Sequence, residues 1–259
     1  MSKIQLENFI CNYKLENFGH KKTLVLSNSL GTNFSMWEDN IAILSHHFNI
    51  LRYDKRGHGE STINQDKVSI ADLGNDVIEL LNYLKLDKVY FCGLSIGGLT
   101  GQWLGINHPD RFEKIIISNT AAKIGTEEGW AARIKQVTEN GLGSIVTATA
   151  ERWFTPDYRS KNPDKVQEVL HDFEATSLQG YTACCYAVAG ADFREQLHNL
   201  EVPTLIIAGT QDEVTTLADG KFIQKRTPIA SLVTLDAAHL SNMEHPEEFA
   251  KHIIHFTQH

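Results

Sequence analysis

The segment Val89-Tyr90-Phe91-Cys92-Gly93-Leu94-Ser95-Ile96-Gly97-Gly98 constrains this chain more than any other. Its first four residues are the apolar, β-prone side chains of a buried strand. Glycines then stand two positions before and two after Ser95, which is the pattern of a turn too tight for side chains at those places. Beyond the turn, residues 96–107 read as a helix that His108-Pro109 ends. A strand that turns sharply into a helix through a serine exposes that hydroxyl at the carboxyl edge of a sheet. The competing reading is a glycine-rich turn with an incidental serine, and the rest of the chain must decide between them.

Short β-branched runs alternate with segments of helical period along most of the sequence, which predicts an α/β fold: a mostly parallel sheet flanked by helices. Strands are expected at 23–27, 49–53, 88–92, 114–118, 204–208 and 231–235, with an antiparallel hairpin over 4–16 at the sheet edge. Ile70, Leu73, Val77, Leu80, Leu81 and Leu84 recur at three- and four-residue spacing and form one apolar helical stripe. From about 120 to 190 the alternation stops and four helical patterns follow. These residues are expected to form a helical cap inserted before the last strands, over the strand ends where open α/β sheets bind ligands. The core is then 1–119 with 191–259, and the cap is 120–190 of the same structural unit.

A serine hydroxyl is a weak nucleophile at neutral pH and needs a base, a task that suits histidine. Of twelve histidines, His239 follows the last predicted strand in Asp236-Ala237-Ala238-His239-Leu240, on the same sheet edge as Ser95. The imidazole in turn needs a carboxylate to fix its tautomer and stabilise its cation. Asp212 follows the strand at 204–208, with Glu213 as its nearest competitor and Asp236 a weaker one. The order Ser95, Asp212, His239 is the one the α/β-hydrolase fold requires. An oxyanion needs two N–H donors: Ile96 supplies one from just after the serine, and Leu30, in the loop Ser27-Asn28-Ser29-Leu30-Gly31, is the expected second. His58, in the run RGHGES at 56–61, reads as a loop-ordering residue rather than a catalytic one.

The net charge of −8 disfavours nucleic acid and anionic membranes as partners, since binding a polyphosphate requires clustered Lys and Arg. A small molecule is expected instead, and if it is an anion, a local cation must receive it. Cys11, Cys92, Cys184 and Cys185 form no CxxC pair, and Cys184-Cys185 reads as apolar packing in a helix. With no basic-then-apolar leader or spanning-length apolar run in view, a cytoplasmic protein is expected. His252, His255 and His259 share a helix face without an acidic or cysteine partner at suitable spacing, so neither a metal site nor any cofactor is expected.

In the first cap helix Trp130, Arg133, Ile134 and Val137 fall on one face, which places a cation on an otherwise apolar surface; spacing alone fits equally an arginine that receives an anion and one whose head reaches water. Arg152-Trp153-Phe154 repeats that mixture further on. A small, partly apolar carboxylate is the natural ligand.

The chain also resembles a known family, the 3-oxoadipate enol-lactonases, which are α/β-hydrolases of bacterial aromatic catabolism. The resemblance rests on 28–32 (NSLGT), 53–61 (YDKRGHGES), 91–105 (FCGLSIGGLTGQWLG), 119–126 (NTAAKIGT), 151–155 (ERWFT), 209–215 (GTQDEVT) and 237–242 (AAHLSN). The second-last and last of these match the family's acid and base loops, so the resemblance implies the same triad of Ser95, Asp212 and His239. NTAAKIGT and ERWFT lie outside the shared catalytic machinery and imply the family's carboxylated lactone as substrate; on the reading of the cap face above, Arg133 with Trp130 and Trp153 would hold its carboxylate. Ile96 stands where many relatives carry Met, and Thr216-Leu217 where a proline pair is common. Two rival expectations remain: a carboxylesterase or carbon–carbon hydrolase of the same fold, and a ligand receptor that keeps the fold with little turnover.

Overall fold

The structure, a computed structural model, describes residues 2–259. Eight strands form one sheet: β1 (Ser2–Gln5), β2 (Ile10–Glu16), β3 (Thr23–Ser27), β4 (Asn49–Tyr53), β5 (Val89–Leu94), β6 (Phe112–Ser118), β7 (Thr204–Gly209) and β8 (Ala230–Leu235). Their order is β1-β2-β4-β3-β5-β6-β7-β8, antiparallel as far as the β2–β4 pairing and parallel beyond it. The edge hairpin and the mostly parallel sheet agree with the sequence reading. Two boundaries shift: β5 runs on to Leu94, and β6 starts at Phe112, which is buried opposite Val89.

The helices are α1 (Glu38–Leu44), α2 (Ile70–Tyr83), α3 (Ile96–Asn107), α4 (Glu127–Asn140), α5 (Val146–Trp153), α6 (Pro156–Lys161), α7 (Pro163–Glu174), α8 (Leu178–Gly190), α9 (Leu217–Arg226), α10 (Ser241–Glu244) and α11 (Pro246–Gln258). The stripe on α2 is buried from Ile70 to Leu81, and a capping box between Ser69 and Asp72 starts that helix. Helices on both faces explain why β3, β5 and β7 are buried along their whole length.

Between β6 and β7 the chain forms five helices, α4 to α8, where the periodicity predicts four. Pro156 and Pro163 each open a helix, and the six residues of α6 between them are too few to display a period. The first residues of α8 meet the loop after β4 backbone to backbone. A Cβ on Gly57 would stand 2.3 Å from the Gly180 Cα, and one on Gly180 2.2 Å from the Gly57 carbonyl oxygen.

Register decides what shares the carboxyl edge. Ser27 pairs with Gly93, Leu94 with Ser118, and Gly209 with Leu235. The loops after β3, β5, β6, β7 and β8 therefore leave the sheet side by side.

Candidate active site

Ser95 occupies the turn between β5 and α3 with φ 60° and ψ −115°, a left-handed conformation that non-glycine residues seldom adopt. Two hydrogen bonds hold it there: the Ser95 N–H donates to the Ser118 carbonyl at 2.9 Å, and Thr120 Oγ1 donates to the Ser95 carbonyl at 2.9 Å. The glycines around it are required by contact. A Cβ on Gly93 would lie 2.1 Å from the Gly97 carbonyl oxygen, and one on Gly97 2.4 Å from that of Ser27. Strain of this kind costs about 1–3 kcal/mol and persists where surrounding structure over-determines it.

His239 is 2% exposed on the loop after β8, and its Nδ1 lies 2.9 Å from Asp212 Oδ2. That bond fixes the ring, and Ser95 and His239 line one cavity, with no direct hydrogen bond between their side chains among the described residues. Asp212 also accepts from Asn119 Nδ2 at 3.0 Å, from Thr215 Oγ1 at 2.7 Å, and from the Val214 and Thr215 N–H groups at 2.8 and 3.1 Å. Burial alone would raise its pKa, but the His239 imidazole and the bonds from His239, Asn119 and Thr215 outweigh it and bring the carboxyl down to about 2. The two competing carboxylates are exposed, and Asp236 is occupied by Thr210 and Gln211.

The loop after β3 lies beside this pair. Leu30 lines the same cavity, and neither its N–H nor that of Ile96 is bonded to a protein group among the described residues. Two unclaimed donors at buried positions beside a serine are the arrangement a developing oxyanion needs. His58 does not reach this cavity. It is fully buried, its Nε2 accepts from the Gly31 N–H at 3.0 Å, and its Nδ1 faces the Arg56 carbonyl at 3.0 Å.

The cavity measures about 420 Å³, and its far wall comes from α4, α5 and α8. Trp130, Arg133 and Trp153 all line it, as do Arg152, Gln136 and Tyr181. The Trp130 indole N–H is committed to the Ile124 carbonyl at 2.7 Å, so this residue offers a ring face and not a donor. Arg133 Nε donates to the Tyr181 hydroxyl at 2.7 Å, which orients the guanidinium and leaves its terminal nitrogens open. Neither Arg133 nor Arg152 forms an ion pair among the described residues, and no Asp or Glu lines the cavity.

Asn119, Thr215 and Tyr181 escaped the sequence reading as individual residues. Asn119 follows β6 with φ 44°, and the left-handed tolerance of Asn was the available signal. Glu244 was missed as well: it accepts from Thr155 Oγ1 at 2.5 Å and from the Ala238 N–H at 2.8 Å, tying the His239 loop to the start of α6. At the C-terminal helix, Glu248 stands 3.9 Å from His252 Nε2, one turn earlier, where no acidic partner was foreseen. All four cysteines are buried and unpaired.

A family model described as serine aminopeptidase, S33 (Hydrolase_4) matches residues 17–239. 3-Oxoadipate enol-lactonase 2 of Acinetobacter baylyi is 45% identical over 92% of this chain and 89% of its own. 3-Oxoadipate enol-lactonase 1 of the same organism is 44% identical over 87% and 85%. The crystal structure of the enol-lactonase from Burkholderia xenovorans superposes with a TM-score of 0.97 at 38% identity, covering both chains in full (100% of each). With this likeness along nearly the whole length of each partner, the chain belongs to the 3-oxoadipate enol-lactonase family of α/β-hydrolases.

Proposed function

We propose that the protein hydrolyses 3-oxoadipate enol-lactone to 3-oxoadipate through an acyl-enzyme on Ser95. The observation that carries this reading is the cavity itself. It joins Ser95 and His239 to two guanidinium groups, Arg133 and Arg152, with no carboxylate in its lining. Such a wall attracts an anionic acyl substrate and repels the amine of a peptide N-terminus, which argues against aminopeptidase chemistry.

In the proposed sequence His239 Nε2 takes the Ser95 proton as Oγ adds to the lactone carbonyl, while Asp212 holds the imidazolium. The Leu30 and Ile96 amides donate to the oxyanion. The ring C–O bond then breaks, His239 returns the proton to the departing enol oxygen, and the enol tautomerises to a ketone. A water that yields its proton to His239 attacks the acyl carbonyl, and Ser95 leaves with that proton. Arg133 receives the free carboxylate against the Trp130 and Trp153 rings, a charge-assisted contact worth about 1.5–3 kcal/mol.

On the same reading, residues 120–190 act as a cap that supplies substrate recognition, while 1–119 and 191–259 supply the chemistry. The partner is a small carboxylated lactone, with no nucleic acid or membrane role. No helix among the described residues is long and apolar enough to cross a membrane. Four buried free thiols suit a reducing compartment, and the cytoplasm is the proposed location.

Freshly generated 3-oxoadipate enol-lactone should lose its ring absorbance when the purified protein is added, and a simple uncharged ester should turn over far more slowly. Faster turnover of the uncharged ester would instead make the protein a general carboxylesterase. A burst without sustained turnover would make it a receptor.

A further inference from the structure

Lys55 is 4% exposed, and the only hydrogen-bond acceptor of its ammonium among the described residues is the Ser29 carbonyl, at 2.7 Å. Burying an ammonium for one acceptor is expensive, and packing alone would be served better by an apolar side chain of similar volume. What the bond achieves lies on the other side of the peptide. The Ser29 carbonyl and the Leu30 N–H belong to one trans peptide unit, so they point in opposite directions. A carbonyl drawn to Lys55 turns the Leu30 N–H away from Lys55, toward the cavity that Ser29, Leu30 and Ser95 line. A cationic donor on the carbonyl also polarises the unit and strengthens its N–H as a donor.

The next peptide unit is held from the same loop. The Gly31 N–H is taken by His58 Nε2, and that ring is anchored through Nδ1 to the Arg56 carbonyl. Burial, and then the charge of Lys55, lower His58 to about 3, which keeps it neutral and its Nε2 free to accept.

We propose that Lys55 and His58 are positioning residues for the oxyanion donor: Lys55 orients and polarises the Ser29–Leu30 peptide, and His58 pins the peptide that follows. This rests on the reading of Ser95 as nucleophile and the Leu30 N–H as donor. Neither side chain touches substrate. The Thr32 Oγ1 and N–H also donate to the Ser29 carbonyl, at 3.0 and 3.4 Å, so part of the orientation survives without Lys55.

The test is a graded series at Lys55, read on the enol-lactone and on a carboxylate-bearing trifluoromethyl ketone that forms a tetrahedral adduct with Ser95. Deleting an oxyanion donor outright costs about 10²–10³ in kcat, so Lys55→Met, which weakens a donor that remains, should lower kcat about 10- to 100-fold. Lys55→Gln, which keeps a neutral donor, should fall between wild type and Met. KM should stay within about threefold, adduct affinity should fall in step with kcat/KM, and the Lys55→Met melting temperature should equal or exceed wild type. His58→Gln, which preserves an acceptor, should retain more kcat than His58→Leu. A lowered melting temperature with unchanged adduct affinity would assign Lys55 a merely structural role and overturn the proposal. Wild-type kcat in Lys55→Met, with Ser95→Ala inactive, would refute the clamp alone. An active Ser95→Ala would instead remove the reading on which the clamp rests.

Discussion

The two sides of the cavity are built on opposite terms. On the sheet side, polar groups are tied into fixed networks: Asp212 is held by Asn119, Thr215 and His239, the Ser95 backbone by Ser118 and Thr120, and the Gly31 amide by His58. On the helical side, Arg133 has one neutral partner in Tyr181, and Arg152 is exposed without an ion pair among the described residues. Fixed geometry suits bond making, because misplaced catalytic groups lose most of their effect. Unspent charge suits recognition, because a guanidinium already paired to a carboxylate has little left for a ligand. The contrast implies that the first side governs kcat and the second KM.

That division can be broken in order of expected effect. Ser95→Ala should reduce kcat by about 10⁶, as loss of the nucleophile does in a well-studied serine triad; near-normal turnover would end the covalent mechanism. Asp212→Asn should cost about 10⁴ in kcat with little change in KM, because it disturbs the His239 tautomer that Nδ1 now presents. A large KM effect there would blur the two sides. Arg133→Ala should raise KM for the carboxylated lactone about 10- to 100-fold and spare an uncharged ester, as loss of a charge-assisted contact predicts. Equal losses on both substrates would exclude an anion-binding role.

The smallest effect is on stability and its pH dependence. His58 is neutral and buried in the folded protein, with a pKa lowered to about 3 by burial and then by Lys55. The unfolded chain binds a proton at this residue below its ordinary pKa of about 6.5, so folding stability should fall as pH drops from there toward about 3. The expected slope from this residue is about 1.4 kcal/mol per pH unit, and it should be absent in His58→Gln. Asp212 acts with the same sign but in a lower window. Its contribution is complete above about pH 4 and is lost as pH falls through about 2; buried Asp76, which burial raises to about 6, slopes the other way, so it is the difference between wild-type and His58→Gln denaturant melts from pH 7 to 5 that should report His58 and not Asp212.

The sheet side was largely legible in the sequence, because tight turns and strand order leave recognisable residues. Ser95, Asp212 and His239 are each marked by a strand followed by a short loop, and parallel register brings those loops to one edge. Asn119 and Thr215 were not found. Their work is done across the sheet on Asp212, and no local pattern distinguishes such an Asn or Thr from a turn residue. In the helical segment, Arg133 was visible as a charge on an apolar face, but its partner Tyr181 lies four helices away on α8. The commitment of the Trp130 indole to Ile124 was equally invisible. The count of helices there also failed, since α6 is shorter than two turns.

The backbone contact between Gly57 and Gly180 bears on how such enzymes can be recombined. The two residues are 123 positions apart (180 − 57), one in the core loop and one in the helical segment, and each is shaped by the other's lack of a side chain. A chimera that exchanges 120–190 for a relative's helices imports a new residue against Gly57. Anything larger would lift the start of α8 off the loop that carries Lys55 and His58. Crossovers that keep the two glycines together should therefore yield active hybrids, and crossovers that separate them should yield folded proteins with a loosened cavity.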